Sequence, residues 1–151
     1  MIKKKDVWGL LDCYFTDNPR DKATSVHSEA ITAAEKVLNI KFSEPYKKFL
    51  LIYGGGGIGP IDIYGLSKSD LAPIDSWSVI ENTQYYWREK WPGVENWYIV
   101  GDDDNGNPFG IDKDGVVWIS DHDAYEGEEV EKVADNFEEF LYKLVTETLW
   151  D

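Results

Sequence analysis

The stretch Ser28–Gly59, SEAITAAEKVLNIKFSEPYKKFLLIYGGGGIG, decides how the rest of the chain is read. Ser28 can cap a helix with Glu29 in its first turn, and Ile31, Ala34 and Leu38, with Val37 beside them, recur at the spacing of one buried face. Asn39 tolerates the left-handed conformation that ends a helix. Ser43 can cap a second helix with Pro45 in its first turn, and Tyr46, Phe49, Leu50 and Tyr53 then fall at i, i+3, i+4 and i+7 before Gly54 stops it. Glu35 interrupts the first apolar face. A carboxylate in that position needs donors, and the backbone N–H groups of Gly54 to Gly57 are expected to supply them.

The glycines invite a phosphate-loop reading, which the order of elements excludes. Such a loop leaves a strand and opens a helix, with Lys following in the Walker form. Here a helix precedes the glycines, no Lys follows, and Ile61 and Ile63 begin an alternating strand that runs to Leu66. The glycines are therefore expected to form a flexible turn. Towards the N-terminus, Val7, Leu10, Leu11 and Tyr14 predict an amphipathic helix ended by Asp17-Asn18-Pro19, with Cys13 a packing residue inside it.

Beyond Pro73, Ser78 and Glu81 form a capping pair for a fourth helix, with Ile80, Gln84, Trp87 and Trp91 along one side until Pro92-Gly93. Residues 97–101, 108–112 and 116–120 read as short strands, and the Asn105-Gly106 and Asp114-Gly115 turns join them into an antiparallel meander. Asp135 and Glu138 cap a closing helix that buries Phe137, Phe140, Leu141, Leu144 and Val145.

Taken in order, Ile31, Glu35, Leu38, Asn39, Phe42, Ser43, Tyr46, Lys47, Phe49, Leu50, Gly54 and Gly55 resemble the N-terminal signature of the SUKH superfamily of bacterial toxin-immunity proteins, the Smi/Knr-like domain. The pattern is roughly I-x-x-x-E-x-x-L-G, then L-P-x-x-Y-K-x-F-L and a G-G loop. Asn39 stands where the family usually has Gly, and Ser43 where it usually has Pro. Residues 101–121 look like the family's paired strands and 134–144 like its closing helix.

Composition narrows the function. The 151 residues suit one domain spanning 1–151, and 42% apolar content suffices for a core. A single Cys rules out an internal disulfide framework, and two His leave little for zinc. The apolar run after Lys3, Lys4 and Lys5 is too short for a signal or a membrane span, so a cytoplasmic location is expected. Residues 101–151 carry 3 Lys+Arg against 16 Asp+Glu, most of the chain's net −14. That surface repels nucleic acid and anionic membranes and attracts basic partners.

Local motifs add no catalytic or metal centre. Asp102-Asp103-Asp104-Asn105-Gly106-Asn107 would place Gly101 as the first calcium ligand of an EF-hand loop, so it reads as a hairpin turn. Asp121-His122-Asp123 reads as a solvated loop, and no nucleophile elbow is present. Trp77, Tyr85, Trp91, Trp97 and Tyr125 fit core periodicities least, and exposed aromatics are enriched at interfaces.

The expected fold is thus α+β, an antiparallel sheet of about four to six strands packed with N-terminal and C-terminal helices. The resemblance implies a cytoplasmic immunity protein, neither an enzyme nor a cofactor binder. It would neutralise a cognate polymorphic toxin, often a nuclease, by stoichiometric binding, as a monomer or weak dimer. The alternative within the superfamily is a regulatory or scaffolding domain, which the compact length disfavours. Candidate toxin-binding residues are Asp102, Asp103, Asp104, Asp121, Asp123, Glu126, Glu128 and Glu129, with Trp77, Trp97 and Tyr125 as anchors. The family-motif residues Ile31, Glu35, Leu38, Tyr46, Phe49, Leu50, Gly54, Gly55, Phe137, Phe140 and Leu141 are expected to be structural.

Overall fold

Six strands hydrogen-bond in chain order into one antiparallel sheet in the computed structural model, which describes residues 7–67, 77–121 and 129–150. The helices are α1 (Val7–Asp17), α2 (Ser28–Leu38), α3 (Glu44–Ile52), α4 (Val79–Glu89) and α5 (Phe137–Val145). The strands are β1 (Gly56–Ile58), β2 (Ile61–Ile63), β3 (Tyr98–Asp102), β4 (Pro108–Ile111), β5 (Val117–Ser120) and β6 (Val130–Ala134). The α+β expectation and the meander both hold.

Register gives the sheet two different faces. Ile63, Gly101, Phe109, Ile111, Val117 and Ile119 share the inner face, where α3 and α5 close on it. Tyr46 of α3 lies 5.5 Å from the ring of Tyr98, and Phe140 of α5 lies 5.0 Å from Phe109. Phe49 and Tyr46 both meet Phe137 edge-on, so one aromatic cluster joins α3, α5 and the sheet. Asp62, Asp102, Pro108, Gly110, Trp118 and Lys132 share the outer face.

Asn39 adopts φ +56° and ends α2 as expected. Tyr46, Phe49, Leu50 and Tyr53 are buried, as are Ile31, Ala34 and Leu38, whereas Val37 faces solvent. Glu35 is buried too, but its donor is different from the one expected. Its Oε2 accepts the backbone N–H of Phe42 at 2.8 Å, so the carboxylate pins the α2–α3 connection and not the glycine loop. Ser43 precedes α3 without capping it through its side chain, and His27, not Ser28, holds the N-cap position of α2.

The glycine run is not a loose turn. Residues 56–58 form edge strand β1, and Gly54, at φ +76°, brings its backbone so close to Thr24 that a Cβ would sit 1.8 Å from the Thr24 carbonyl oxygen. Only glycine permits both the conformation and the approach. In α1 the buried residues are Val7, Leu11 and Phe15; Cys13 is exposed and is not the packing residue expected.

One helix face and one helix cap differ from expectation by one residue. Ser78 caps α4 by accepting the Glu81 N–H at 3.1 Å, yet the buried side is Val79, Thr83 and Tyr86. The reason lies in β3. Where β2 ends, the Ile99 N–H would be orphaned, and it donates instead to Thr83 Oγ1 at 2.8 Å, so α4 takes the place of a strand neighbour. At α5 the cap is Asn136, whose Oδ1 accepts the Glu139 N–H at 2.8 Å, one position beyond the Asp135/Glu138 pair. Strand β6 has no counterpart in the expected elements; its first three residues are exposed and only Val133 and Ala134 are buried.

Candidate functional site: a carboxylate end of the sheet

Antiparallel order brings the start of β2, the end of β3, the start of β4, the end of β5 and the start of β6 to one end of the sheet. Asp62, Asp102, Asp103, Asp104, Asp121 and Glu129 all stand at that end. Asp121 donates its N–H to the Glu129 carbonyl at 2.7 Å, and lies two strands from Asp102, about 10 Å by strand spacing.

The residues there have different tasks. Asp103 is committed to its turn: Oδ1 accepts the N–H groups of Asn105 and Asn107, both at 2.8 Å, and Oδ2 accepts Asn107 Nδ2 at 3.1 Å. Asp102 and Asp62 are half-buried on the outer face and directly opposed in register. Burial raises the Asp102 carboxyl, a hydrogen bond with Tyr64 opposes the rise, and Asp62, Asp103 and Asp104 add to it, leaving it at about 6. Asp62 is raised by burial, then by Asp21 and Asp104. Tyr86 is also pushed up, to about 12, by burial and by Asp102. Among the described residues no Lys or Arg pairs with Asp62 or Asp102.

This arrangement can accept hydrogen bonds from cationic groups. Among the described residues no set of three or more His, Cys, Asp or Glu is placed to hold a metal ion, and no helix is long and apolar enough to cross a membrane.

Several expected contacts change place. Trp77 and Trp97 are buried, at 7% and 5% exposure, and so are not free anchors. Trp77 lies against the Gly57 backbone, and Trp97 against Gly110. Tyr85 is exposed, as expected. Asp123, Tyr125, Glu126 and Glu128 lie outside the described residues, as does His122 of the Asp-His-Asp triplet. Sequence reasoning missed Asp62. Its place between Ile61 and Ile63 marks it as outward-facing, but nothing local links it to a residue 40 positions away.

No curated protein matches the chain. A family model described as SMI1 / KNR4 family (SUKH-1) matches residues 25–143, from the approach to α2 to within α5, and so includes both the carboxylate end and the Glu35 contact. With the matched region covering most of the chain, this protein belongs to the SMI1/KNR4 (SUKH-1) family.

Proposed function

We propose that this protein is a cytoplasmic, non-catalytic immunity protein that neutralises a cognate toxin, a nuclease or another enzyme with a basic surface, by stoichiometric occlusion. Family membership supports a protein partner. The observation that carries the choice of surface is the Asp62–Asp102 pair, two half-buried carboxylates facing each other, with no Lys or Arg paired with them among the described residues. Such an arrangement opposes folding in the free chain. A partner's Lys or Arg would relieve it, and the binding energy would then include the relief.

The test is co-expression with candidate basic toxin domains. The parent chain should rescue growth and co-purify with the toxin in equimolar amounts. A folded variant carrying Asp62→Asn and Asp102→Asn should bind at least about tenfold more weakly if these carboxylates meet buried toxin cations. Full protection by that variant would remove this end of the sheet from the interface. Failure of the parent chain to bind or protect would end the immunity reading.

A further inference from the structure

A second feature of the outer face lies away from the Asp62–Asp102 pair. Trp97 lies flat over Gly110, where a Cβ would approach its Cε3 to 2.5 Å, so a bare backbone is what lets the indole settle there. Trp118, the strand partner of Gly110, holds its ring nearly parallel to that of Trp97, at 7° with centroids 6.4 Å apart. Its Nε1–H donates to Asp112 Oδ2 at 2.9 Å, which fixes the ring; Asp112 Oδ1 is itself held by the Asp114 and Val116 N–H groups. The two indoles and the exposed Val130 line a groove of about 450 Å³.

Charge at the groove is mostly of one sign. Glu95, Asp112 and Asp114 line it, against Lys113. Lys132, which faces Trp118 across the strand pair, is engaged by Asp135 instead. A rigid, electron-rich indole surface bordered by carboxylates suits a flat cation: the ring face attracts it, the carboxylates accept its N–H groups, and guanidinium can stack where ammonium cannot.

We propose that this groove is the seat of an arginine side chain projecting from an exposed segment of the basic protein partner. The inference rests on the immunity reading for the partner's character, and adds a second contact site, with Trp118 as its aromatic face and Glu95 and Asp114 as its charged rim. Charge complementarity selects this occupant over an apolar segment, which would leave the Glu95 and Asp114 carboxylates facing it without compensation. A neutral sugar would likewise forgo the field.

The probe is the pentapeptide acetyl-Gly-Arg-Gly-Arg-Gly-amide, titrated into the full-length ¹⁵N-labelled protein at low salt, beside the same peptide with both Arg replaced by Gln and again by Lys. The indole N–H signals of Trp97 and Trp118 should shift with the Arg peptide, less with Lys, and not with Gln. Trp118→Leu should weaken binding about fivefold, as loss of a cation–π contact implies. Glu95→Gln with Asp114→Asn, both exposed and therefore harmless to folding, should weaken it about threefold. Equal shifts with the Gln peptide would overturn the proposal in favour of a neutral ligand. Shifts at Asp62 and Asp102 with both indoles still would overturn the groove assignment while leaving the basic-partner reading standing. No shift anywhere, with protection against the toxin intact in both groove variants, would also overturn the groove and spare the immunity role.

Discussion

Asp62 on β2 stands directly opposite Asp102 on β3, on the outer face of the sheet. Burial raises both carboxyls above the usual range; Asp21 and Asp104 add to the rise at Asp62, and Asp62 adds to the rise at Asp102, which reaches about 6. Unfolded aspartate titrates near 3.9, about two pH units lower. Between these values the folded chain holds more protons than the unfolded chain, so stability falls as pH rises through the window and recovers as pH drops. Asp102→Asn should therefore raise the melting temperature at pH 7, with the gain shrinking towards pH 4. Thermal melts across this range check it, and a gain that ignored pH would point to a cause other than charge.

Glu35 ties two helices together through one bond to the Phe42 N–H. Removing the acceptor leaves a buried donor unpaired, which costs about 1–3 kcal/mol. Glu35→Ala should lower the melting temperature by several degrees. Glu35→Gln keeps an acceptor in reach and should lose much less; equal losses for both would show that the charge, and not the bond, matters.

The contact between Thr83 and Ile99 makes a sharper case, because valine has nearly the shape of threonine. Thr83→Val should cost about 1–3 kcal/mol, since the Ile99 N–H loses its acceptor while packing is preserved. Amide exchange at Ile99 should accelerate relative to Gly110 on the neighbouring strand. Unchanged exchange there would mean that water replaces the hydroxyl.

Residues 101–151 concentrate the negative charge of the chain. Association with a basic toxin should slow as salt rises, while dissociation changes much less. Stopped-flow mixing at several salt concentrations measures both rates. Salt-insensitive association would reduce the acidic third to a solubilising surface.

Much of the architecture was legible in local patterns. Helical spacing marked the buried faces of α2, α3 and α5, and the Asn105-Gly106 and Asp114-Gly115 turns marked the meander, because each signal depends on residues a few positions apart. Strands β1 and β6 were not. Gly56 and Gly57 have no side chains to alternate, and β6 exposes its first three residues, so neither carries a period-two pattern.

The candidate site divides in the same way. By itself the sequence determined that carboxylates gather in the last third of the chain, and that the signature from Ile31 to Gly55 builds two helices ending at a run of glycines. Only the tertiary structure decided that Asp62 faces Asp102, that α4 turns Thr83 to the open edge of β3, and that Trp97 is buried over Gly110. These are relationships between segments distant in the chain. Strand register and the need to satisfy buried backbone groups set them, and neither is written in the periodicity of a single segment.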